Sequence, residues 1–179
     1  VLSGVVPGKE VWPILTLAMN FATRPRALTH IQSWYEGTIL SEDHPDLPLS
    51  SQSLSRLLSH IGEGTANLEF SRKLIEQIST CSTLVYDITS LSSYSQSISL
   101  LEYGYNRDGL DLPQINLSLI VDKDLGIPVM YDLYPGSIAD VSTLKNTVKK
   151  MKAQGVRNYT LIMDRVFFST DNIEEMVSA

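Results

Sequence analysis

At 179 residues the chain is long enough for one full domain, or for a small one plus part of another, and its 43% hydrophobic and 19% charged residues are those of a globular protein with a real core. No apolar run approaches the ~18–20 residues that a membrane-spanning helix requires, and the lone Cys81 excludes disulfide frameworks and cysteine-rich zinc sites. The net charge of −6 divides as 6 basic against 8 acidic residues in 1–80 and 8 against 12 in 81–179, which excludes gripping nucleic acid through a strong overall positive field and leaves only local patches.

The first half reads as helical. Val11, Ile14, Leu15, Ala18 and Met19 repeat at helical spacing and predict a first helix, with Pro13 confined to its first turn. Arg24-Pro25-Arg26 breaks that run. Ala27, Leu28, Ile31, Trp34 and Tyr35 then predict a second helix stopped by Gly37, with its two aromatic residues in the core. Residues 41–53, rich in Ser, Pro and Asp, read as a loop. Leu54, Leu57, Leu58 and Ile61 predict a third helix ended by Gly62 and Gly64. Leu68, Phe70, Leu74, Ile75 and Ile78 predict a fourth, capped by Thr65 or Asn67.

Near residue 80 the character changes. Thr83–Asp87 predicts a short buried strand ending on an acid, followed by a Ser-rich stretch over 90–99 and a turn-prone loop over 103–109. Ile115–Val121 and Ile127–Tyr134 predict two strands, and the short link 122–126 makes them an antiparallel hairpin that Pro135-Gly136 ends. Asp140 caps a helix with Val141, Leu144, Val148 and Met151 on one face and Gly155 at its end. Tyr159–Met163 predicts a further strand, also ending on an acid, Asp164, and another helix starts near Thr170-Asp171. The organisation expected is a helical region over 1–80 and an α/β region over 81–179, in the order β-β-β-α-β-α with a mixed sheet.

A strand–helix–strand unit over 127–164 is a right-handed crossover, which puts its last strand parallel within the same sheet. If that strand lies beside the one carrying Asp87, Asp87 and Asp164 meet at one end of the sheet. Two converging carboxylates repel each other, and a hard divalent cation such as Mg²⁺ or Mn²⁺ relieves that conflict. Two such ions can activate a water and stabilise a leaving 3′-oxygen. The same aspartates also suit simple turn or helix-capping roles, and the residues alone leave both readings open.

Four segments carry a resemblance: 86–91 (YDITSL), 103–122 (YGYNRDGLDLPQINLSLIVD), 126–140 (GIPVMYDLYPGSIAD) and 161–169 (LIMDRVFFS). In order and spacing they resemble bacterial and archaeal insertion-sequence transposases of the DDE superfamily, in the group around insertion sequence number four. The resemblance runs from about residue 80 to the end and implies an incomplete ribonuclease H-like core, in which the first and fourth strands are neighbours. It implies Asp87 as the first acid and Asp164 as the second, both holding Mg²⁺ or Mn²⁺. It also implies hydrolysis at the element's ends followed by attack of a 3′-hydroxyl on target DNA. The implied partners are double-stranded DNA, as terminal repeats and target, and a second copy in a synaptic homodimer; the implied setting is the cytoplasm, in association with the nucleoid.

The family's third acid is a Glu within a Tyr–Arg–Glu–Lys signature, expected beyond residue 179, and Glu174 and Glu175 match no motif of the family. Val1 without a preceding Met, and a C-terminal IEEMVSA that reads as mid-helix, lead to the expectation of a piece of a longer protein that is inactive alone. This chain carries Val166 where the family usually has Gly and Ser137 where it usually has Asn. The alternative function is a non-catalytic truncated remnant that binds DNA or the intact transposase.

The helices over 54–61 and 68–78 suit a helix-turn-helix or plain packing, with Arg56, Arg72 and Lys73 as candidate DNA contacts. Arg107 in the 103–109 loop and Arg165 beside Asp164 are further candidates, and Arg24 and Arg26 are weaker ones. Lys145, Lys149 and Lys152 read as the solvated face of a helix. Cys81 reads as a small core residue.

Overall fold

The computed structural model describes residues 1–78, 83–105, 109–138 and 140–167. Two compact units divide the chain, Val1–Phe70 and Ser71–Ala179.

The first unit is helical. Helix α1 spans Gly8–Thr23, α2 Ile31–Glu36 behind a 3₁₀ turn over Leu28–His30, α3 Leu40–Asp43, and α4 Ser51–Glu63. Helix α5, Ala66–Gln77, begins in this unit and ends in the second. The core joins Ile31, Tyr35, Leu49 and Leu54, with Leu17, Trp34 and Leu57 packed against them. The expected aromatic pair is therefore core. Residues 41–53 are not all loop, because α3 occupies the start and α4 the end. Ser50 explains the early start of α4, since its hydroxyl accepts from the Ser53 amide at 3.3 Å. Helix α1 also departs from expectation. It starts three residues before Val11, so Pro13 lies in its second turn, and it buries Pro13, Thr16 and Asn20 rather than the predicted stripe. With apolar residues on nearly every side, this helix has no single face that periodicity can select.

The second unit is a four-stranded mixed sheet covered by a helix. Strands β1 (Thr83–Ser92), β2 (Gln114–Asp122), β3 (Ile127–Pro135) and β4 (Thr160–Met163) stand in the order β3-β2-β1-β4. The hairpin β2–β3 is antiparallel, and Gly126 takes φ 65° at its turn. Helix α6, Asp140–Ala153, makes the crossover, so β4 runs parallel to β1. Leu84, Tyr86 and Ile88 of β1, Ile120 of β2 and Val129 and Met130 of β3 meet Leu144, Val148 and Met151 of α6 in one core. Gly155 at φ 89° follows the end of α6, as expected.

Strand β1 is longer than expected. It does not end on Asp87 but runs on to Ser92, pairing Ser90 with Asn116 and Ser92 with Gln114. Serines are poor strand formers by themselves, and here the antiparallel partner supplies the ladder. The helix expected from 170, Cys81, and the Arg107–Asp108 pair lie outside the described residues.

Candidate functional site

The sheet buries alternate side chains. Leu84, Tyr86 and Ile88 face α6, so Val85, Asp87 and Thr89 face the other way. In β4, Leu161 and Met163 pack on the same core while Ile162 is exposed. The parallel ladder pairs Leu84 with Leu161 and ends with Tyr86 opposite Met163. The next residues are Asp87, which continues along β1, and Asp164, the first residue after β4. Both aspartates are exposed, and the alternation of β1 directs Asp87 to the sheet face away from α6. Neither the strand end expected at Asp87 nor a shared loop produces this arrangement. It arises because β4 is short and stops beside the middle of β1.

Local bonds fix both acids. The Ile88 amide donates to Asp87 Oδ1 at 2.8 Å. The Asp164 carbonyl accepts from the Phe167 amide at 3.2 Å, closing a 3₁₀ turn over Arg165–Phe167. Val166 lies in that turn, and among the described residues Asn158 is the only non-glycine with positive φ. Among the described residues no group of three or more His, Cys, Asp or Glu is gathered to hold a metal ion. The acid pair supplies two carboxylates, hard oxygen donors of the kind Mg²⁺ or Mn²⁺ takes.

Behind the acids the sheet is held by hydroxyls and rings that periodicity alone does not single out. Tyr86 Oη and Thr143 Oγ1 share a hydrogen bond at 2.8 Å, and the Tyr86 and Phe167 rings meet edge to face at 4.9 Å. Tyr134 donates to Asp132 Oδ2 at 3.0 Å and shares a hydrogen bond with Thr147 Oγ1 at 3.2 Å. Burial first, then the Asp132 carboxylate, hold the Tyr134 phenol well above the ordinary tyrosine range, against the opposing hydrogen bond from Thr147. Lys150 pairs with Asp132 at the edge of this seam.

The candidate DNA contacts are scattered. Arg24, Arg26 and Arg56 are exposed in the first unit, and Arg165 is exposed beside Asp164. Arg72 pairs with Glu76 at 2.5 Å one turn along α5, and Lys73 is half-buried. The division between units falls inside α5, which separates Arg56 from Arg72 and Lys73. On α6, Lys149 and Lys152 are exposed and Lys145 half-buried, as a solvated face requires. Ser137 hydrogen-bonds to Glu102.

The mixed sheet, with β1 between β2 and β4 and a helical crossover leading into β4, has the strand arrangement that the resemblance implies for an incomplete ribonuclease H-like core. The family model described as transposase DDE domain matches residues 78–178, and the chain belongs to that family. A comparison with curated proteins returned no match. Among solved structures, the chain is similar to a Mos1 transposase paired-end complex with the left transposon end, at TM-score 0.38 and 10% identity, over 92% of this chain and 55% of that one. A pre-cleavage Mos1 transpososome gives TM-score 0.39 at 10% identity over 91% and 55%, and the Mos1 strand transfer complex 0.37 at 10% over 92% and 55%. This chain thus spans about half the length of those transposase chains.

Proposed function

We propose that the chain carries the acid pair of an insertion-sequence transposase in the group around insertion sequence number four, which cuts DNA at the element's ends and joins the freed 3′-hydroxyl to target DNA. The observation behind this reading is the β1–β4 register in a chain of the transposase DDE domain family: Tyr86 lies opposite Met163, and Asp87 and Asp164 are the residues that come next. Their exposed oxygens would hold Mg²⁺ or Mn²⁺, which supplies water activation and stabilisation of the leaving 3′-oxygen when bound. The two exposed aspartates would bind and orient the cation, Asp87 from the face of the sheet that α6 leaves open. Arg165, next in the chain, offers a phosphate contact, with Arg56, Arg72, Lys73 and Arg107 as backbone contacts elsewhere. On this reading residues 1–80 serve DNA binding and 81–179 catalysis. The partners are terminal-repeat and target DNA and a second copy, and the setting is the cytoplasm, at the nucleoid.

The test is Mn²⁺-dependent nicking of duplexes carrying the ends of the element by the intact gene product. Asp87→Asn and Asp164→Asn should each reduce nicking to background. Both sites are exposed, so unfolding free energy should shift by less than about 0.5 kcal/mol. A wild-type rate retained in Asp87→Asn would overturn the assignment. The second reading is a non-catalytic product that binds DNA or the intact transposase. That product shifts the same duplexes in a gel and never nicks them.

A further inference from the structure

The acids lie one residue past the last pair of the β1–β4 ladder, where no further backbone pairing joins the two segments. On the α6 face of the sheet, the segments next to each acid converge on a single aromatic contact. Tyr86, immediately before Asp87, is 1% exposed, and Phe167, one 3₁₀ turn after Asp164, is fully buried. Their rings meet at 4.9 Å and 66°, a favourable edge-to-face geometry. The Tyr86 hydroxyl is tied to Thr143 of α6 at 2.8 Å, and the Phe167 amide to the Asp164 carbonyl at 3.2 Å. Asp87 is thus held between two buried neighbours, Tyr86 and Ile88, and Asp164 is tethered to the ring that packs on the first of them.

We propose that Tyr86 and Phe167 are positioning residues: a buried aromatic clamp, anchored to α6 through Thr143, that fixes the spacing of Asp87 and Asp164. The proposal rests on the reading of these acids as a cation site. The action of the two rings passes through the backbone of the two acids. Supporting residues of this kind typically change metal affinity by about 10- to 100-fold when removed.

The experiment measures Mn²⁺ binding to the full chain by electron paramagnetic resonance, together with amide exchange at Ile88, whose N–H is held by Asp87 Oδ1. The variants are Phe167→Leu, Tyr86→Phe, Asp87→Asn and Val129→Ala, the last a cavity in the same core away from the clamp. Phe167→Leu should weaken Mn²⁺ binding about tenfold and speed Ile88 exchange several-fold. Tyr86→Phe, which keeps the ring and removes the hydroxyl that bonds Thr143, should move both readouts in the same direction by less. Val129→Ala should lower the melting temperature and leave both readouts at wild-type values. Equal effects of Phe167→Leu and Val129→Ala overturn the clamp, as does wild-type Mn²⁺ affinity in Phe167→Leu. If Asp87→Asn binds Mn²⁺ as the wild type does, the cation reading fails instead. Ile88 exchange then decides the clamp by itself: unchanged exchange in Phe167→Leu overturns it.

Discussion

A methyl group added at Gly136 would sit 2.3 Å from the carbonyl oxygens of Gln114 and Glu102, and one added at Gly104 would sit 1.8 Å from the Gly136 oxygen. These two glycines let the chain after β1 lie directly against the turn that ends β3. Buried amides hold that contact: Gln114 Nε2 donates to the Tyr105 carbonyl at 2.8 Å, and Asn116 Nδ2 to the Ile138 carbonyl at 3.2 Å. Gly136→Ala must therefore displace backbone, and we expect a loss of about 1–3 kcal/mol in urea unfolding. Gly62, within α4, meets nothing within 4 Å of an added methyl. There Gly62→Ala should raise stability by about 0.5–1 kcal/mol, because alanine gives up less backbone entropy in a helix. The contrast shows what is legible at this scale. Pro135-Gly136 reads as a turn from sequence, but the packing that forbids a side chain involves residues more than twenty positions away.

At the scale of elements, α6 shows both what pattern supplies and what it omits. Leu144, Val148 and Met151 form the buried stripe that helical spacing predicts. Thr143 and Thr147 are equally buried, yet as polar residues they fall outside any apolar pattern. Their partners, Tyr86 and Tyr134, come from β1 and β3. The Tyr134 phenol keeps its proton to higher pH in the folded chain than in the unfolded one, where it titrates near 10. Below that pH both states hold the proton and this group adds no slope. Above it the unfolded state binds fewer protons, so stability falls as pH rises. Melting temperatures measured between pH 9 and pH 11, about the ordinary tyrosine value, should decline, and Tyr134→Phe should make that decline shallower. Helix α1 is the opposite case, where apolar residues all round gave the spacing rule nothing to choose between.

For the whole molecule, the two compact units have separate cores, one around Leu54 and the other around Ile120. Units with their own cores unfold as their own cooperative blocks when the contacts between them are few. We expect calorimetry of the full chain to resolve two transitions. Leu54→Ala should lower one of them and Ile120→Ala the other, each large-to-small change costing about 2–5 kcal/mol in its own unit. A single transition moved by both substitutions would contradict this division. No described helix is long and apolar enough to cross a membrane.

The change from helices to strands near residue 80, the β2–β3 hairpin and the α6 crossover are all legible in the sequence, because spacing and turn residues are local properties. The resemblance read from four segments agrees with the family to which the chain belongs. The docking of β4 against β1 with Tyr86 opposite Met163, one residue before each aspartate, is a product of the tertiary structure. The tertiary structure also decided that β1 runs on through its serines, and that Tyr86, Phe167 and Thr143 converge behind the acids. These outcomes depend on which distant segments share a sheet. That choice is made by burying β1 and β4 together under α6, and no single stretch of sequence contains it.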